Sequence, residues 1–468
     1  MNRELTALSA RQATALLHAG EVTPLELIEA ALARIAAVEP LVNALPTLCA
    51  ERARAAAKHL RPGSLLAGLP IAIKDLVEVA GVRTTRGSPL FANHVSTYSD
   101  VLVERLEQNG ALVIAKSNTP EFGAGGNTFN EVFGRTLNPW NTALTCGGSS
   151  GGAAVALATG EVWLAHGSDL GGSLRTPASF CSVVGLRPSL GRVAAGPVTD
   201  PFDTLSVQGP MARNVGDLAL MLDAMVGGDP RDPLAFAAPA RSFTAHVDAP
   251  HLPKRVAFTP DLGGFMVAGE VKEACARAAR RFEALGVVVE EASPDLADAR
   301  EIFQVLRALK FATAHAEKLA LNRDKLKPEV IWNIERGLKL GAEEIARAIR
   351  ARAALFYRVA DFFRRYELLL CPAAPVPPFP VEERYVAEVD GHTYETYIDW
   401  VAVTFAITLT GSPALVLPCG FSTDGRPIGL QLVAPPRGEA ALLEAAKLFE
   451  DAVGLAGLLP LDPRPPRT

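Results

Sequence analysis

The run S-D-L-G-G-S-L-R, residues 168–175, decides how this chain is read. Two glycines stand directly before Ser173, Asp169 lies just ahead of them, and Arg175 follows two residues after the serine. The run is either an ordinary loop or a nucleophile carrying its own oxyanion donors, because glycine leaves backbone N–H groups clear of a Cβ. Two other places bear on the choice. One is G-G-S-S-G-G at 147–152, which leads into the small-residue helix pattern A-A-V-A-L-A-T-G. The other is Lys74, which ends the apolar run L-P-I-A-I.

Around these motifs, helix and strand signals alternate. Thr23, Pro24 and Glu26 form a capping box, and Leu25, Ile28, Leu32 and Ile35 follow at helical spacing until Pro40 stops the run. Residues 51–60 also read as helix. Residues 68–75 read as a strand ending near Lys74, 99–110 as a capped helix with glycine at its end, and 111–116 as a strand. A helix at 271–284 and a strand at 287–290 repeat that unit. Strands at 368–371 and 414–419 follow, then a hairpin turn T-D-G-R at 423–426 and a strand at 428–433. Such alternation predicts an α/β fold: a central mixed, mostly parallel β-sheet covered by helices on both faces, with the mixing at one edge. The chain is expected to be a single domain over 1–468, with an N-terminal helical arm (1–62) packed on an α/β body (63–468). Residues 227–254 and 371–395 read as surface excursions.

Composition narrows the function. With 49% hydrophobic and 21% charged residues, 468 residues can build a large core. A net charge of −5 without a basic stripe argues against nucleic acid as a partner. Six scattered cysteines without a C-x-x-C pair fit a reduced compartment rather than a disulfide framework or zinc site. The N-terminal M-N-R-E-L-T-A-L lacks an apolar leader core, and no apolar run reaches ~18 residues. A soluble, cytoplasmic protein is therefore expected.

Each motif has a bland reading as well. After the glycines at 147–152 comes alanine, not the G-K-[ST] of a phosphate loop, and no G-x-G-x-x-G is present. The turn before the following helix could aim free N–H groups at an oxyanion or be only a turn. His166 is the nearest histidine to Ser173, but no G-x-S-x-G elbow surrounds that serine, and a lone histidine is more often structural. A lysine can act as base only when neutral, which requires burial or nearby positive charge. From its segment alone, Lys74 is either such a base or a strand-end lysine in solvent. Cys146 is read as a buried small hydrophobe rather than a nucleophile. The histidines lack ligand spacing, so no metal is expected.

Taken together, Lys74, G-G-S-S-G-G and D-L-G-G-S-L-R in this order resemble the amidase signature family, serine hydrolases with a Ser–Ser–Lys triad. Further stretches carry the likeness: G-L-P-I-A-I-K-D, K-S-N-T-P-E-F-G, N-P-W-N, R-T-P-A-S-F-C-S-V-V-G-L-R-P-S, Q-G-P-M-A-R and T-G-S-P-A-L-V-L-P-C-G. They span roughly residues 20–455. The resemblance implies the amidase signature fold, with Ser173 as nucleophile, Ser149 as the bridging serine after a cis peptide bond, and Lys74 as ultimate base. It also implies an oxyanion hole from the backbone N–H groups of Leu170, Gly171, Gly172 and Ser173. Ser150, Asp169 and Arg175 take supporting roles, and no cofactor is required.

The resemblance implies amide hydrolysis without fixing the substrate. A small or aryl amide is expected, with aryl carbamates as an extension. The rival is the glutaminase subunit of a tRNA-dependent amidotransferase, whose M-D-E-F-type stretch is N-T-P-E-F-G here. A catalytically silent scaffold of the same fold is the alternative of a different class. Asn127, Phe129 and Phe133 are expected to line the pocket, joined by residues 303–315 and by Tyr397, Trp400 and Phe405 from 392–405. The expected partners are a small-molecule amide and water, with neither nucleic acid nor membrane, and a homodimer left open.

Overall fold

A computed structural model describes residues 2–466. The capping box forms as written: Glu26 N–H donates to Thr23 Oγ1, and Thr23 N–H donates to Glu26 Oε2 (2.8 Å). The helix runs Pro24–Val42, two residues past Pro40, where the sequence placed its end. Proline in the last turn removes one donor without stopping the chain there. The exit is instead held by Glu39, whose Oε1 accepts from the Ala44 and Leu45 N–H groups, and by Asn43 at φ 53°. Thr47–Leu48 then joins the main sheet antiparallel to Leu112–Ser117, so the N-terminal helices lead into an edge strand of the body.

Eleven strands form one sheet, in the order Thr47–Leu48, Leu112–Ser117, Pro70–Lys74, Leu164–Asp169, Val207–Ala212, Val184–Arg187, Ala414–Phe421, Pro427–Val433, Leu368–Pro372, Arg255–Phe258 and Val288–Glu291. The sheet is mixed at one edge, where Thr47–Leu48 runs antiparallel to its neighbour, but most of its mixing lies in the middle. Parallel neighbours form two blocks, one around Pro70–Lys74 and one around Arg255–Phe258. Between them every pairing from Leu164–Asp169 to Leu368–Pro372 is antiparallel. The hairpin turn at 423–426 accounts for one of these pairings. The others join strands separated by long connections, which no local signal announces.

Pro70–Lys74, Leu112–Ser117, Leu368–Pro372 and Pro427–Val433 are buried at every residue. Continuous burial of this kind requires cover on both faces of the sheet. The helix Gly151–Thr159 is buried at all nine residues. Its glycine start is a packing requirement: a Cβ on Gly152 would lie 2.4 Å from Asn118 N and 2.5 Å from Ala44 O.

The sheet brings the chemistry-bearing motifs to one end. Pro70–Lys74 and Leu164–Asp169 are parallel neighbours, so Lys74 and Asp169 both leave the sheet at carboxyl ends of strands, where α/β folds place their ligand crevices.

Candidate active site

Lys74 is fully buried. Its Nζ lies 2.8 Å from Ser149 Oγ, 2.8 Å from Ser150 Oγ and 3.1 Å from Ser168 Oγ, with Ser168 O at 3.5 Å. None of these partners carries a charge. Burial pushes the amine down from its ordinary 10.5 to about 7, against an upward pull from the Asp169 charge. The Gly148–Ser149 peptide bond is cis.

Ser173 is half-buried in the loop that follows the strand Leu164–Asp169. Its carbonyl accepts from Ser150 N–H (3.1 Å), which ties the two serine loops together. Ser149 and Ser173 line the same cavity. Among the described residues no hydrogen bond joins their hydroxyls, as is common before a substrate draws such groups together. Ser150 N–H and Gly152 N–H are spent on Ser173 O and Asn118 O. The start of the helix Gly151–Thr159 therefore does not present these donors to the cavity.

The 169–175 loop is held by charge. Arg175 donates to both Asp169 carboxylate oxygens through Nε and Nη2 (3.0 and 2.9 Å), and Arg187 Nη1 reaches Asp169 Oδ1 (3.1 Å) and its carbonyl (2.6 Å). All three side chains are buried. Burial alone would raise the Asp169 carboxyl; the two guanidiniums and the loop N–H groups outweigh it and hold the acid well below the ordinary range. Arg175 is braced in turn by Thr404 O, Gln431 Oε1 and Thr408 Oγ1. Arg187, Gln431, Thr404 and Ser168 escaped the sequence reading. Ser168 stood inside the quoted motif, and Arg187 closes the run V-V-G-L-R, but Gln431 and Thr404 gave no local signal.

One expected oxyanion donor must be corrected. Gly172 N–H donates to Asp169 Oδ1 (3.0 Å), and Leu174 N–H to Oδ2 (3.0 Å), so Gly172 shapes the loop rather than the hole. Its φ of +127° and a prospective Cβ 2.3 Å from Thr404 Oγ1 explain why glycine stands there. The N–H groups of Leu170, Gly171 and Ser173 have no protein partner among the described residues, and all three residues line the cavity.

The expected pocket residues lie elsewhere. Asn127 is a buried strut: its Nδ2 donates to Val381 O and Glu383 O, and its Oδ1 accepts from Thr145 Oγ1. Phe129 packs beneath Lys327 and Arg384, and Phe133 beneath Arg83. Trp400 sits one layer out, packed on Phe180 and Phe379, where a Cβ on Gly126 would meet its Cζ2 at 2.1 Å. Phe405 stacks on Phe303 in the core. Tyr397 is also behind the wall, its hydroxyl accepting from Arg307. The cavity is walled instead by Phe122, Phe311, His315, Ile398 and Val401, with Arg307 and Lys310. The segment 303–315, part of the helix Ala299–Asn322, thus reaches the cavity as expected, whereas 392–405 reaches it through Ile398 and Val401 rather than through its aromatic residues.

His166 is fixed by its neighbours. Its Nδ1 accepts from Lys74 N–H (3.4 Å), and its Nε2 lies 2.8 Å from Gln208 Oε1. Burial lowers its pKa to about 3, so it stays neutral and faces the backbone of Lys74 rather than Ser173. Burial pushes the Cys146 thiol up to about 12, as expected of a small hydrophobe. Among the described residues no cluster of three His, Cys, Asp or Glu side chains is placed to hold a metal ion, and no helix is long and apolar enough to cross a membrane.

A buried lysine among hydroxyls, beside a serine on a glycine loop, is the equipment of serine-based acyl transfer. The chain belongs to the Amidase family, whose model matches residues 26–443, and with it to the enzymes that hydrolyse amide carbon–nitrogen bonds. It is 34% identical to an acylamidase of Rhodococcus erythropolis, over 97% of each chain. It is 37% identical to a subunit of the glutamyl-tRNA(Gln) amidotransferase of Thermus thermophilus, over 94% of this chain and 96% of that one. The crystal structure of a bacterial aryl acylamidase superposes with a TM-score of 0.90 at 26% identity, covering 97% of this chain and 99% of the other.

Proposed function

We propose that the protein hydrolyses small or aryl amides through an acyl-enzyme on Ser173, with Lys74 as base acting through Ser149, and that aryl carbamates enter the same site. The observation that carries this reading is the environment of Lys74, buried among hydroxyls with Ser149 and Ser173 on one cavity wall.

Proton bookkeeping supports the division of roles between the serines. A neutral amine has two N–H donors and one lone pair. Ser150 Oγ donates to Ser168 O (3.3 Å), which leaves it an acceptor for Lys74, and Ser168 Oγ accepts the second N–H. The lone pair then takes the Ser149 hydroxyl proton. Ser149 in turn receives the proton of Ser173 as Ser173 Oγ attacks the amide carbonyl. The N–H groups of Leu170, Gly171 and Ser173 receive the oxyanion, each such donor contributing ~2.7–4 kcal/mol in related chemistry. The same relay returns a proton to the leaving amine, and water releases the acid. Asp169, Arg175 and Arg187 hold the loop in place.

The amidotransferase relative favours a second reading, a glutaminase that works with partner proteins. One experiment weighs both: arylamine release from a nitroanilide by wild type and Ser173→Ala, beside ammonia release from glutamine. Release of arylamine by wild type alone supports the amidase reading. Full turnover by Ser173→Ala would remove Ser173 as nucleophile, and ammonia release without arylamine would favour the glutaminase.

A further inference from the structure

Among the cations of the helix Ala299–Asn322 are Arg300, Arg307 and Lys310. Arg300 is paired with Asp399 and Glu395, and Lys310 with Asp203. Arg307 lies between them, is the most buried of the three, and has no carboxylate partner among the described residues. Its Nη1 donates to Asn333 Oδ1 and its Nη2 to Tyr397 Oη (2.7 Å), both neutral acceptors. Phe311 and Tyr397 rings flank the guanidinium at 4.6 and 5.5 Å. A guanidinium has five N–H donors, and these two bonds occupy two of them. The remainder have no protein partner among the described residues, and Arg307 lines the same cavity as Ser173.

The neighbouring acids are already committed. Glu329 is bidentate to Arg384, Asp399 is held by Arg300 and Gln304, and Asp169 is held by Arg175 and Arg187. A buried guanidinium with no counter-ion is costly unless something supplies one. Here the open side is the substrate cavity. The planar fork matches the two oxygens of a carboxylate. The tyrosine and asparagine fix its plane, so little order is lost on binding.

We infer that Arg307 is the counter-ion site for the substrate: the enzyme favours amides that carry a carboxylate away from the scissile bond over neutral amides of the same shape. This rests on the hydrolase reading above and deepens it by naming the substrate class.

The test compares glutaryl p-nitroanilide with 5-methylhexanoyl p-nitroanilide, in which an isopropyl group replaces the carboxylate. Turnover is measured for wild type, and binding of both compounds to Ser173→Ala is measured by calorimetry. The glutaryl compound should be favoured at least about tenfold in kcat/KM and in binding, the scale of a charge-assisted pair. Arg307→Gln should bring both ratios close to one, chiefly through a higher KM for the glutaryl compound. Asn333→Asp keeps the arginine but supplies a carboxylate from within, so it too should lower the ratios even if Arg307→Gln fails to fold. Ratios near one in wild type, or ratios that survive both substitutions, overturn the inference. Turnover that survives in Ser173→Ala counts against the hydrolase mechanism alone, because the binding ratio is read separately.

Discussion

The pH dependence of turnover follows from where Lys74 sits. Burial moves its amine from 10.5 to about 7, which favours the neutral form by about 5 kcal/mol. At pH 7.4 about 70% of the lysine is then neutral, against about 0.1% for a lysine in water, so burial supplies about a 10³-fold gain in usable base. The base is lost as it protonates. Log kcat/KM for an anilide should therefore rise with unit slope below pH 7, level off above it, and span about 100-fold between pH 5 and pH 8. Other groups titrating nearby do not reach the cavity: Asp100 is raised to about 6, Glu450 to about 7 and Lys327 lowered to about 8, all away from its walls. His166 and His315, lowered by burial to about 3, are already neutral across this window. The assay is initial-rate kinetics from pH 5 to 9 for wild type and for Lys74→Ala, whose residual rate should lose the inflection. A flat wild-type profile, or an inflection that survives in Lys74→Ala, would refute the reasoning.

Three further outcomes are expected. Asp169→Asn leaves Arg175 and Arg187 buried without a counter-ion, so urea denaturation should show a loss of about 3–5 kcal/mol; a loss below about 1 kcal/mol would contradict the charge network. Gly172→Ala drives a Cβ to 2.3 Å from Thr404 Oγ1 at φ +127°, displacing the oxyanion loop, and kcat should fall about 10²-fold or more. Gly264→Ala, at φ +122° with open space around it, controls for backbone strain and should leave kcat unchanged. Lys74→Met bears on stability: the lysine's folded pKa lies below its unfolded one, so the unfolded chain binds the extra proton between pH 7 and 10.5 and wild-type stability from this group rises with pH across that window. The melting temperature of Lys74→Met relative to wild type should therefore be higher at pH 7 than at pH 10, and a constant difference would show that Lys74 is charged when buried.

Much of the fold was legible because its signals are local. The capping box at Thr23, the strand ending at Lys74 and the hairpin before Pro427–Val433 each need only a few adjacent residues. The order of strands in the sheet was not, since the antiparallel run joins segments such as Val184–Arg187 and Ala414–Phe421 more than two hundred residues apart. The site divides the same way. Ser149, Ser150, Asp169, Ser173 and Arg175 lie within two short motifs, and the structure brings those motifs to Lys74. The pocket wall was misread because Tyr397 and Trp400 sit next to Ile398 and Val401, which reach the cavity in their place. Aromatic bulk signals burial, and in this chain it is spent behind the wall, on Phe180, Phe379 and the Arg307 guanidinium.

Two lysines test how far sequence alone can go. Lys74 ends P-I-A-I-K, and Lys116 lies near the end of the neighbouring strand L-V-I-A-K-S; the two strands are parallel, and both side chains are fully buried. Nothing in their segments says which is the base. The difference lies in their partners. Lys116 meets the Asp75 carboxylate at 3.2 Å, the Val77 carbonyl and the Thr84 hydroxyl, each an acceptor that rewards a positive charge. Lys74 meets three hydroxyls at hydrogen-bonding distance, and the nearest acid acting on it, Asp169, is already claimed by two arginines. Burial presses both amines toward neutrality, but only Lys116 has an adjoining carboxylate to resist it. The pairing of Asp169 with Arg175 and Arg187 thus acts twice. It fixes the loop that carries Ser173, and it limits the pull of that carboxylate on Lys74, leaving the amine free to lose and regain a proton near neutral pH.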